Sequence, residues 1–433
     1  MKLSLFQVIL FGIFGIAAFI GLFVFATYTN KNTGSNTIGT VVIWGTLPDA
    51  GMQHVLVAAN QTNETFKSVS YMQKNPATLV ADLATAIATG AAPDLILASQ
   101  EELRSLAKFV MPIPFSALPA RTFADTFIGE GSLLTIPGGV GYYGIPFLVD
   151  PLVLFSNRSI LASSGIARPP ATWEALVGLV PKVATLTPSR QITRGLVALG
   201  TYDNVHNARG ILSSLFLQTG VPVSGYSTTG TLAANLGSAA DGAPGQAVLG
   251  FYTQFTDPSK VSYTWNASLP DSQQAFLSGD LALYLGYVSE TRFLATANPN
   301  LDIDVAPLPQ PATASVKGTY GLLYSFLIPR GAMNSAGAYQ VATFLTNAPL
   351  QAAAAAATGL VPAALAELAA APSDPVAAVA YAEALYAKGW LSPAPAATDP
   401  IFSSMIGNVI SGRLNLQTAL ASAERSLSAL LQQ

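Results

Sequence analysis

Apolar and polar positions along this chain change period several times, and each change marks an element. The longest predominantly apolar stretch is Leu3 to Ala26, and the polar stretch Tyr28–Thr37 follows it. Gly39–Trp44 (GTVVIW) is a β-branched run ending in an aromatic, which predicts a buried strand. Pro48 to Ala59 predicts a helix, Ser68–Met72 a second strand, Ala77–Thr89 a helix closed by Gly90, and Asp94–Ala98 a third strand. Strands alternating with helices at this spacing predict βαβ units around a parallel sheet. In such sheets ligands bind beyond the carboxyl ends of the strands, here Trp44-Gly45-Thr46 and Ser99-Gln100. Gly141–Asn157 (GYYGIPFLVDPLVLFSN) predicts two apolar strands around Asp150-Pro151. A second αβ region runs from Pro170 to about Pro299; Asp302–Pro309 and Leu322–Pro329 are strands again, and the chain from Ala336 on is mostly helical.

Leu3–Ala26 exceeds the roughly 20 apolar residues a spanning helix needs. It is also longer than the apolar region of a signal peptide, and its Val24-Phe25-Ala26 end matches a cleavage site poorly. The expectation is an uncleaved membrane anchor in preference to a cleaved signal, with the rest of the chain extracytoplasmic. No other stretch qualifies: the run Ala352 to Ala371 is broken by Gly359, Pro362 and Glu367. The 51% hydrophobic content and mean hydropathy of +0.44 therefore read as core plus an Ala/Ser/Thr/Gly surface, not as many spans.

The chain has no cysteine, which excludes disulfides, thiol catalysis, cysteine metal sites and a lipid-modified N-terminal cysteine. His54 and His206 are the only histidines, too few for a His-rich metal site or for most His-dependent triads. No Gly-x-Ser-x-Gly elbow precedes a helix, and no basic run points to nucleic acid. The expectation is a binding protein, not an enzyme, with no cofactor and no metal.

Five segments, in order, resemble the family 1 extracellular solute-binding proteins of ABC importers, the maltose-binding-protein-like class. They are GAAPDLIL (Gly90–Leu97), YGIPFLVDPLVLFSN (Tyr143–Asn157), GIARPPATWEAL (Gly165–Leu176), AFLSGDLALYL (Ala275–Leu285) and the helix with Thr-Gly-x-x-Pro-Ala within Ala338–Ala363. Ser156 and Leu283 depart from the family's usual Tyr and Met. The resemblance implies an α/β, two-lobed periplasmic-binding-protein-like fold with hinge strands, here preceded by one N-terminal transmembrane helix. The divisions expected are 1–27 anchor or signal, 28–38 tether, 39–150 plus about 305–350 first lobe, and 151–304 plus about 351–433 second lobe. It further implies a small polar ligand in the interlobe cleft, a carbohydrate in preference, with an ABC permease as partner. A sensory ectodomain of the same fold without transport is the alternative, and a hydrolase a more remote one.

The ligand-side candidates follow from strand ends and from that resemblance. Trp44, Thr46 and Gln100 sit on the first rim, where a ring stacks on a sugar's apolar face and polar tips set orientation. Asp150 interrupts an apolar run, where a carboxylate needs a cleft or hydrogen bonds. Tyr202 and Asn204 follow the apolar strand Gly195–Gly200, Tyr287 follows Leu281–Gly286, and Tyr320 precedes a first-lobe strand. No Arg or Lys stands at these positions to hold a phosphate. Asp94, in a Pro-Asp turn, and Trp173, in a packing motif, read as structural, and His206 as an exposed loop residue.

Overall fold

The computed structural model describes residues 38–227, 230–237, 243–314, 317–370 and 372–432. The expected anchor and all but the last residue of the tether lie outside the described residues. Among the described residues no helix is long and apolar enough to cross a membrane.

The first βαβ units form much as the pattern predicts. Strand β1 (Val41–Gly45) leads into helix α1 (Asp49–Thr62), β2 (Val69–Gln73) into α2 (Leu79–Thr89), and β3 is Leu95–Ser99. Gly90 ends α2 at φ 70°, the left-handed conformation that favours glycine at a helix C-terminus. β1 lies between β2 and β3, parallel to both. Asp94 ties this layer together: its carboxylate accepts from the Val42 amide (3.0 Å) and the Asn334 amide (2.8 Å). Asp94→Ala leaves two amides without that acceptor and should cost about 1–3 kcal/mol in urea denaturation.

Gly141–Asn157 corrects the expectation of two strands around Asp150-Pro151. After the two-residue strand Gly141–Tyr142, a single strand β4 runs from Gly144 to Asn157, straight through Pro151, and every residue in it is buried. Its first half pairs antiparallel with β8 (Thr319–Leu327) and its second half with β6 (Leu281–Tyr287). β5 (Ile192–Val197) lies parallel beyond β6. β7 (Ile303–Ala306) and β9 (Val361–Pro362) also pair with β4, and β10 (Ala387–Lys388) pairs with β8. The main path is β2-β1-β3-β8-β4-β6-β5, ending on the short strand Thr185–Leu186. Strands covered on both faces read as unbroken apolar runs, which is why β3 and β4 lack polar alternation.

Helix α3 (Trp173–Val183) is capped by the Thr172 hydroxyl, and Trp173 is buried, its indole donating to Gln218 at 2.7 Å. Helix α4 (Ala208–Gln218) is buried at every position but Arg209. Helices α5 (Pro244–Thr253), α6 (Ala348–Thr358), α7 (Pro395–Ile410) and α8 (Leu416–Leu431) complete the layers used below. α6 packs on α1, and β9 pairs with the first half of β4, although α6 straddles the expected boundary near residue 350 and β9 lies beyond it.

Candidate functional site

The middle of β4 sets the site, because strand pairing decides which side chains share a face. Leu322 stands opposite Asp150, and Tyr287 opposite Leu152. Alternation along β4 and β8 then puts Asp150, Leu152, Tyr287, Tyr320 and Leu322 on one face of the sheet. The turn after β3 supplies Gln100 and Glu101 to this face, and the first turn of α4 supplies Arg209.

Arg209 is the centre of the cluster. Its Nε and Nη2 donate to the two Glu101 oxygens at 2.9 and 2.8 Å, and Nη1 donates to Asp399 at 2.6 Å. The Tyr320 hydroxyl donates to Glu101 at 2.7 Å, and the Tyr202 hydroxyl to Asp399 at 2.7 Å. Burial works against the Arg209 charge, but Glu101 more than offsets it and holds the guanidinium firmly protonated. Burial, reinforced by the Glu101 charge, raises the Tyr287 hydroxyl well above its usual range. The same two causes act in the same order on Tyr320. Gln100 is buried, its amide bridging β8 by donating to the Gly321 carbonyl (2.8 Å) and accepting from the Leu323 amide (2.6 Å).

Asp150 sits beside this cluster with 3% exposure. It accepts from the Ser289 amide at 3.1 Å and hydroxyl at 2.6 Å. Burial pushes it up to about 7, against those hydrogen bonds and with the help of the Glu290 charge. Glu290 in turn fixes the turn after β6: it accepts from the Tyr287 amide and from Asn207 at 2.8 Å each, from Gln273 at 2.7 Å, and from the Tyr284 hydroxyl. Glu102 is likewise raised to about 7 by burial, opposed by a hydrogen bond from the Ser99 hydroxyl.

Of the eight candidates read from the sequence, Gln100, Tyr202, Tyr287 and Tyr320 converge on Arg209, with Asp150 adjoining. Three take other places. Trp44 is half-buried at the end of β1 with the Lys74 ammonium 3.7 Å above its ring. Thr46 bonds through its amide to the Leu97 carbonyl. Asn204 is committed to protein partners, its amide donating to the Asn266 and Leu269 carbonyls at 3.0 Å each and its side-chain oxygen accepting from the Thr201 hydroxyl. No Arg or Lys stands at the candidate positions themselves, but α4 brings in Arg209 from outside them. Glu101, Arg209, Asp399 and Ser289 were all missed. One signal was available, since Arg209 is the only charge in the segment ARGILSSLFLQ.

A cavity of about 920 Å³ lies elsewhere, lined by Glu130, Tyr226, Lys317, Tyr386 and Trp390 among others. A Cβ on Gly321 would lie 2.6 Å from Glu130 Oε2, and one on Gly389 2.6 Å from Oε1. Gly321 alternates with Tyr320, so Glu130 is on the opposite face of β8 from the Arg209 cluster. Glu130 has 3% exposure, neither oxygen has a hydrogen-bond partner, and burial pushes the group up to about 8. Among the described residues no group of acidic and histidine side chains could hold a metal.

Residues 56–383 match the family described as bacterial extracellular solute-binding protein, well over half of the chain. No curated protein sequence matches. Among solved structures, a cyclo/maltodextrin-binding protein complexed with maltotetraose superposes with TM-score 0.73 at 17% identity, covering 92% of this chain and 99% of its own. A cyclic alpha-maltosyl-1,6-maltose binding protein from Arthrobacter globiformis gives 0.73 at 15% identity, over 91% and 99%. An ABC transporter solute-binding protein from Thermotoga lettingae bound with alpha-D-tagatose gives 0.66 at 19%, over 91% and 100%. At these identities the likeness establishes the two-lobed α/β fold.

Proposed function

Because the chain belongs to the bacterial extracellular solute-binding protein family, we propose that it captures a small carbohydrate for an ABC importer, holding it where its two lobes meet. The first lobe takes in residues 39–150 with about 305–362, and the second 151–304 with about 363–433. An N-terminal anchor over Leu3–Ala26 keeps the protein at the outer face of its membrane. The protein contributes recognition and lobe closure, not chemistry, and passes the ligand to a permease.

The observation that supports this reading is the convergence of Glu101, Asp150, Tyr202, Tyr287 and Tyr320 on one face at the middle of β4. That strand pairs with both halves of the sheet. Carboxylates that accept hydroxyl donors beside tyrosine rings suit a polyhydroxylated ring. The sugars bound by the similar structures give the first probes: maltotetraose, alpha-D-tagatose and mannobiose.

One of these sugars should raise the melting temperature of the purified full-length protein, since a ligand at a hundredfold its Kd adds about 2.7 kcal/mol. Asp150→Asn and Tyr287→Ala should each weaken that ligand by roughly 1–3 kcal/mol in calorimetric titration. Both variants binding as tightly as the parent would remove the site from this face.

A further inference from the structure

The strongest acceptors of this face are already satisfied by the protein itself. Three N–H groups of one guanidinium reach Glu101 twice and Asp399 once, all within 2.6–2.9 Å. Two tyrosine hydroxyls complete the same carboxylates. Glu101 is 4% exposed, and the Arg209 side chain 19%. The three residues come from the turn after β3, the start of α4 and the first turns of α7, so Arg209 joins parts of the chain far apart in sequence. A separate observation on the first rim agrees. The Trp44 ring, at the carboxyl end of the strand beside β3, carries the Lys74 ammonium 3.7 Å from its centroid. An aromatic face and a carboxylate pair therefore each hold a protein cation.

Resting on the reading of this face as the sugar site, we infer that Arg209 determines the ligand's charge. It occupies Glu101 and Asp399 as an internal competitor, and the site selects a sugar that carries a protonated amine. The reason is charge balance. A ligand that takes the two carboxylates must release Arg209. A neutral sugar then leaves the buried Glu101 short of its cation where little water can replace it, while Asp399, its side chain 42% exposed, keeps part of its hydration. An ammonium on the sugar restores the charge, and its three N–H donors replace the three that Arg209 withdraws. The neighbouring hydroxyls of the same ring remain for Asp150 and the tyrosines. Lysine at position 209 would compete less well, because it lacks the planar fork that matches a carboxylate at two points.

Calorimetric titration of the full-length protein tests this with three β-1,4-linked disaccharides of one skeleton: the glucosamine dimer, its N-acetylated form and cellobiose. The glucosamine dimer should bind about tenfold or more tighter than either neutral sugar. Arg209→Met should tighten the glucosamine dimer by about tenfold again and leave cellobiose unimproved. Arg209→Lys, which keeps a cation, should show the same change at smaller size, and serves if the methionine variant does not fold. Cellobiose or the acetylated dimer binding as well as the amine overturns the inference but leaves the sugar-site reading intact. Weaker binding of the glucosamine dimer to both Arg209 variants also overturns it, since Arg209 would then hold the ligand instead of competing with it. If none of these sugars, nor any of the three probes above, binds, the sugar-site reading fails and the inference with it.

Discussion

Glu130→Gln is expected to make the fall in stability between pH 5 and pH 8 smaller by on the order of 4 kcal/mol. In the folded protein this carboxyl is held up at about 8 by burial between Gly321 and Gly389, with no hydrogen-bond partner. In the unfolded chain it titrates near its ordinary value of 4.5. Below that value both states are protonated and folding carries no penalty from this group. Between 4.5 and about 8 the unfolded chain has lost the proton and the folded one retains it, so rising pH favours unfolding. Above about 8 both states are ionised and the slope ends. At up to 1.36 kcal/mol per pH unit, the wild type should lose on the order of 4 kcal/mol relative to the glutamine variant across this window. Glu102, Asp150 and Glu383, each raised to about 7, titrate in both proteins and cancel in the comparison. Urea denaturation of both at pH 5 and pH 8 reads the effect, and parallel profiles would sink it.

Gly245→Val should destabilise the protein at any pH. Gly245 lies in the first turn of α5, where an added Cβ would fall 1.8 Å from the Leu236 carbonyl oxygen and 2.7 Å from Leu420 Cδ2. The first contact is with backbone, so no rotamer relieves it. α5 must move away from both the segment before it and α8. The loss should be on the order of 3 kcal/mol or more, at the upper end of overpacking effects. Gly407→Ala in α7 is the control, because a Cβ there meets nothing within 4 Å. Replacing a helical glycine in open space should stabilise by about 0.4–1 kcal/mol. Equal midpoints for Gly245→Val and the parent would mean that the contact with Leu236 is not rigid.

What was legible in the sequence follows from how local each signal is. β1, α1, β2, α2 and β3 are set by short apolar periods and by breakers such as Gly90, and they appear within two or three residues of expectation. β4 was not, because Asp150-Pro151 looks like a break. Its continuity comes from partners more than 120 residues downstream, Gly321 opposite Pro151 and Tyr287 opposite Leu152. The site divides in the same way. Asp150, Tyr287 and Tyr320 stand out locally, as polar or aromatic tips on buried strands. Glu101, Arg209 and Asp399 look like ordinary surface charges until the fold joins positions 108 and 190 residues apart.

The same strand has a consequence for how the chain is made. β4 spans Gly144–Asn157, yet each strand that flanks it lies between Leu281 and Pro362. A nascent chain that has reached residue 280 therefore carries fourteen residues destined for full burial, with neither edge yet paired. Pairings of such high contact order are slow, and an unpaired apolar strand is an aggregation hazard while it waits. The sheet around that strand can close only once the chain has passed Pro362, and until then its apolar edges need shielding.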